Sequence, residues 1–276
     1  MVEQRHVRKT LAAIAFAILC EAASFASSNP ARPDANEQRK IIADATTYAS
    51  NQERNLPNFL CTQTTQRFVD FTGSSGFRPL DLIVENLTYF DHHENYQVIM
   101  VNGQAANVTH AQLGGAISSG EFASLLKDIF APESATTFTW ENYYKLRGRL
   151  MHVFSYRVLS ANSAFHLRAP SQGLDLVIGY HGHIFIDEQD HLVHRITQHA
   201  DEVPPDYPLQ DESMILDYEY TRIGDHDYLL PLEFELRLRE GRQLVRNDVK
   251  YTDYQKFVAD TKITFDAPGP DKPGKN

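Results

Sequence analysis

Between Tyr228 and Arg239 the chain alternates. Tyr228, Leu230, Leu232, Phe234, Leu236 and Leu238 fall on one parity, and Glu233, Glu235, Arg237 and Arg239 on the other. Successive side chains of a strand point to opposite faces, so this segment predicts a strand with one dry and one wet face. Leu150, His152, Phe154, Tyr156 and Val158 repeat the pattern, as do Met214, Leu216, Tyr218 and Tyr220. A chain that does this several times must build an antiparallel sheet and cover its dry side.

Eleven strands are expected, over residues 58–69, 80–90, 95–102, 136–146, 149–160, 174–187, 191–199, 213–222, 228–239, 243–257 and 260–265. Turn signals separate them at Asn102-Gly103, Gly148, Asp187–Asp190, Gly224-Asp225 and Gly241.

Two amphipathic helices are available as cover. Asp34-Ala-Asn-Glu37 reads as a capping box, followed by Ile41, Ile42, Ala45, Tyr48 and Ala49 at helical spacing, with Pro57 as the stop. Ser118-Ser-Gly-Glu121 is a second capping box. Phe122, Leu125, Leu126, Ile129 and Phe130 follow it, and Pro132 ends that helix. The fold class is therefore α+β, mostly β: one large curved antiparallel sheet, a half-barrel of about eleven strands, under two helices.

Residues 1–26 carry the marks of a secretory signal peptide. Arg5, Arg8 and Lys9 precede the apolar run Leu11–Leu19, and Ser24-Phe-Ala26 places small residues for cleavage after Ala26. A membrane anchor is the competing reading, but the run is far short of the roughly 20 residues that a spanning helix needs. Acylation at Cys20 is a further alternative, with Leu19 a poor lipobox neighbour. Residues 27–33 read as a linker, 34–266 as a single β-rich domain, and 267–276 as a disordered Pro/Gly/Lys tail. The expected address is the bacterial periplasm or the exterior, with no integral membrane segment after cleavage.

The 276 residues carry 26 basic and 36 acidic side chains, a net charge of −10, so nucleic acid is not an expected partner. Two cysteines exclude a disulfide-dense scaffold. With Cys20 removed, Cys61 has no internal partner and reads as a small buried hydrophobe.

Leu56-Pro-Asn-Phe59, Tyr96–Gly103, the hairpin Gly182–Asp187 with Leu192–Arg195, and Leu216-Asp-Tyr218 with Tyr228–Pro231 are arranged along most of residues 34–265. Their order resembles the LolA-like outer-membrane lipoprotein carriers and the N-terminal domain of periplasmic stress-response regulators. That resemblance implies an open half-barrel, lidded by helices, that accepts acyl chains. No counterpart of the carriers' lipid-contacting basic residue is found, so no functional residue is carried over. Leu56–Cys61, together with Gly115 and Ser119–Phe122, is also similar to a group of uncharacterised secreted proteins of acidobacteria, which implies no activity.

Motifs for chemistry are sparse. No G-x-S-x-G elbow, H-E-x-x-H or Walker loop is present. His181-x-His183, with His194 and His199 nearby, invites a metal, but surface histidines explain the pattern better. Asp187–Asp190 lacks the spacing of a calcium loop and reads as a hairpin turn. The charged wet face and the two helices argue against an outer-membrane barrel. No cofactor and no catalytic residue are assigned.

The favoured expectation is a non-enzymatic protein with Phe154, Tyr156, Leu232, Phe234 and Leu236 lining a site for a lipid or other apolar molecule. The same residues also suit a filled core, and sequence does not separate the two. An envelope protein-interaction domain is the alternative, and a secreted hydrolase the third reading.

Overall fold

A computed structural model describes residues 30–114, 122, 124–169 and 172–257. The signal region with Ala26 and Cys20, the capping box at Ser118–Glu121, the strand expected at 260–265 and the tail lie outside the described residues. From Arg32 onward the described chain forms one compact unit.

Among the described residues eleven strands form one antiparallel sheet: β1 (Phe59–Asp70), β2 (Arg78–Phe90), β3 (His93–Val101), β4 (Gln104–Ala105), β5 (Thr137–Leu146), β6 (Arg149–Val158), β9 (Gly179–Asp187), β10 (Val193–Asp201), β11 (Leu209–Ile223), β12 (His226–Glu240) and β13 (Gln243–Lys256). The remaining two, β7 (His166–Ala169) and β8 (Leu174–Val177), form a separate hairpin. The order across the large sheet is β4-β3-β2-β1-β13-β12-β11-β10-β9-β6-β5. The first and last of the described strands are thus neighbours inside the sheet, Phe59 lying opposite Lys256. The expected α+β class, one curved sheet under two helices, is what the chain adopts.

Helix α1 (Ala35–Asn55) starts where the Asp34 carboxylate accepts from the backbone N–H of Asn36 and Glu37 at 2.7 and 2.9 Å. Its buried stripe is Ile41, Ala45 and Ala49, with Ile42 and Tyr48 packed at the margin. The second expected helix is shorter than its apolar pattern. After the four-residue α2 (His110–Leu113), α3 spans Ser124–Phe130, and Phe122 precedes it. Phe122 is nonetheless fully buried. Its ring meets Phe59 and Tyr251 at 5.3 Å, tying the start of α3 to β1 and β13.

Two expected strands differ from their sequence pattern. Residues 174–187 are not one strand: the chain leaves β8 at Ile178 and enters the large sheet at Gly179. A side chain at Gly179 would meet the Ser160 nitrogen and Val158 oxygen at 2.9 Å, so the backbones pass there in near contact. In β12 the alternation breaks at Pro231. Asp217 pairs with Glu233 but Tyr218 pairs with Pro231, leaving Leu232 in a bulge. Proline has no N–H to give the ladder. Leu229 and Leu230 are both buried as a result, and Leu232 is only half-buried.

The wet face is a charge ladder. Arg195 grips Asp217 with two hydrogen bonds of 2.6 Å, Arg147 reaches Glu219 at 2.9 Å, and Lys250 reaches Glu233 at 3.1 Å. Cys61 is buried on the other face, where burial above all pushes its thiol up to about 12.

Candidate ligand site on the inner face of the sheet

Strand register assembles the inner face into rows. One row runs Phe154, Ile184, Ile196, Leu216, Phe234, Val249, one residue from each of β6, β9, β10, β11, β12 and β13. All six are buried. At about 4.8 Å between strands the row is roughly 24 Å long, and entirely apolar.

The neighbouring row is different. It runs Tyr156, Gly182, Gln198, Met214, Leu236, Asn247 and then Arg67 on β1. Arg67 is held by Asp81, at 2.7 Å from its Nε, and donates to the Gly114 carbonyl at 2.5 Å. Gln198 is fully buried, yet neither atom of its amide has a hydrogen-bond partner. Buried polar atoms are nearly always paired, and an orphan costs about 1–3 kcal/mol.

Glu212 stands diagonally from Gln198 across the β10–β11 pair. The ladder slips between Gln210 and Ser213, so Asp211 and Glu212 form a bulge. Asp211 turns out to the Arg239 guanidinium at 2.7 Å, whereas Glu212 is buried. Burial pushes its carboxyl up to about 8, against a lowering hydrogen bond from the Ala200 N–H. Its Oε2 has no partner. The inner face therefore carries one amide and one carboxyl oxygen that are buried without a hydrogen-bond partner.

Four of the five residues singled out from the pattern fall on these two rows: Phe154 and Phe234 on the apolar one, Tyr156 and Leu236 on the other. Leu232 stands apart at its bulge and outside the core cluster. Gln198 and Glu212 were not expected. The signal for Gln198 is weak but real: it shares parity with Ile196 and Ala200. Glu212 follows Asp211 and looks like half of a surface pair until the bulge is known.

A second polar group, built around buried Asp187 and otherwise partly exposed, lies near α1. Arg149 binds Asp187 at 2.8 Å and Asp190 at 2.6 Å, and Tyr220 donates to Asp190 at 2.8 Å. Burial opposes ionisation of Asp190. The His194 ring 3.8 Å away, with hydrogen bonds from the Leu192 N–H and Tyr220, outweighs it and holds the carboxyl at about 2. His191 bonds Asp44 of α1 at 2.7 Å, fastening the helix to the β9–β10 turn. Asp187 accepts from the N–H of Gln189 and Asp190, the Asx-type turn expected there.

His181, His183 and His199 lie on the outer face. His181 bonds Asp201 at 2.7 Å and stacks on His199 at 5.5 Å, and His183 lines a shallow groove with Thr137, Thr139, Ser155 and Arg157. Among the described residues no group of three or more His, Cys, Asp or Glu is arranged to hold a metal ion.

No protein-family model and no curated protein matches the sequence. Solved structures show partial similarity. A LolA superfamily protein of Nitrosomonas europaea is similar over 80% of this chain and 93% of its own, at 7% identity and a TM-score of 0.38. An outer membrane lipoprotein-sorting protein domain of Vibrio parahaemolyticus, given as putative, is similar over 78% and 92%, at 10% identity and 0.37. A DUF1329 family protein of Desulfovibrio piger is similar over 79% and 94%, at 6% identity and 0.34.

Proposed function

We propose that this chain is an envelope protein that is exported, loses its leader after Ala26, and holds a lipid or other apolar molecule against the inner face of its sheet without transforming it. The observation that carries this reading is the apolar row Phe154–Val249. It crosses six strands, while the helical cover in the described residues is one helix of 21 residues and others of seven and four. Each CH₂ of a chain laid along that row gains about 0.8 kcal/mol on leaving water. Phe154, Tyr156, Phe234 and Leu236 line the site at its floor, with Leu232 at its margin.

Native mass spectrometry of protein purified from a bacterial periplasm tests the reading. A mass excess that organic extraction removes, with a drop in Tm, supports it. A clean apo mass and a Tm unchanged by extraction overturn it.

A second reading, docking of an envelope protein, is favoured by β5. This ten-residue strand ends the sheet and leaves an unpaired edge among the described residues. Cross-linking through a photoreactive residue at Thr139 in living cells separates it from the first.

A further inference from the structure

We propose that Gln198 and Glu212 form a recognition point for the polar, uncharged part of the ligand, so that the site takes neutral amphiphiles with a hydroxyl or amide group. This inference rests on the apolar-site reading above and sharpens it. Gln198 offers an N–H donor pair and a carbonyl acceptor, all free and fully buried. Glu212, diagonal to it, adds a free oxygen, and its raised pKa makes that carboxyl a neutral donor at pH 7.

The chemistry discriminates. A hydrocarbon leaves the amide and carboxyl unpaired. A carboxylate brings a charge into an apolar site, where burying it is costly unless a cation meets it. The cation on the same row, Arg67, is already committed to Asp81 and Gly114. A glycerol ester or fatty amide satisfies both groups without charge. Water can also bridge them, and the test distinguishes that case.

The experiment is displacement of N-phenyl-1-naphthylamine fluorescence from the full chain by three molecules of equal chain length: monodecanoylglycerol, decanoate and decane. Wild type is expected to release the probe at a concentration about tenfold lower for the glyceride than for the other two, the equivalent of one satisfied hydrogen bond. Gln198→Leu should lose that preference, and Glu212→Gln should lower it. Circular dichroism confirms folding, and Gln198→Met replaces the leucine variant if that one does not fold. Equal displacement by all three overturns the recognition point while leaving the apolar site standing. So does a preference unchanged in the Gln198 and Glu212 variants, which is the result if the amide merely holds water. Failure of wild type to bind the probe or any of the three overturns both readings together.

Discussion

Tyr156 lies directly opposite Gly182 across the β6–β9 pair, and its hydroxyl reaches past the glycine to donate to the Thr197 carbonyl at 3.0 Å. The missing side chain is what lets three strands come together at this point. A Cβ built on Gly182 would stand 1.8 Å from the Thr197 oxygen, a backbone atom that no rotamer change can move. Gly182→Ala is therefore expected to cost about 2 kcal/mol or more, a fall in Tm of roughly 4–8 °C. Thermal unfolding followed by circular dichroism measures it. A Tm within a degree of wild type would show that β10 can move aside.

Glu212 makes stability depend on pH in an unusual direction. Its ordinary value is 4.5, and burial in the folded chain raises it to about 8. Between those values the folded state holds a proton that the unfolded state has lost, so stability falls as pH rises from about 4.5 to about 8 and then levels off. The loss is of the order of a few kcal/mol. Urea midpoints measured at pH 5, 6.5 and 8 should decline in wild type and flatten in Glu212→Gln.

Asp190 governs the acid side. Its carboxyl is held at about 2 against an ordinary 3.8. It contributes stability that is complete above about pH 4 and is lost as pH falls through 2. At this partly exposed position the contribution is roughly 1 kcal/mol after solvent screening. Asp190→Asn should lower stability at pH 5 and shrink the gap from wild type near pH 2. A constant gap at both pH values would assign the defect to lost packing instead of lost charge.

Leu232 and Leu236 look alike in the sequence and differ in the fold. Leu236 is 7% exposed on the inner face, and Leu232 sits half-buried in the bulge opposite no partner. Leu236→Ala is expected to cost about 2–4 kcal/mol and Leu232→Ala less than about 1 kcal/mol. Paired urea titrations of the two variants give the comparison. Equal costs would mean that the bulge packs more tightly than its geometry implies.

That pair also shows what was legible in the sequence. Alternation is a local property, and it located the long strands and both helical stripes because each side chain there obeys its own backbone. Register is not local. The row that aligns Phe154 with Val249 exists only once six strands have chosen their partners, and Gln198 acquires its unpaired amide only through that alignment. The bulges at Leu232 and Glu212 are set by Pro231 and by the ladder slip after Gln210. One of these has a visible cause in the sequence and the other has none. The split of 174–187 at Ile178 depends on Gly179 passing close to the Val158–Ser160 backbone, a contact between segments 20 residues apart.

The pairing of β1 with β13 has a kinetic consequence. The chain's first strand waits for a partner about 200 residues further on. Until that partner arrives, β1 has β2 on one side and an open ladder on the other, and the sheet is two separate meanders. Loop-closure entropy for so distant a contact is paid before the contact returns anything, which gives slow folding and prolonged exposure of unpaired edges. A chain built this way is unable to complete its sheet before β13 has been made. On the export reading proposed above, that lateness keeps the thread open until β13 has crossed the membrane.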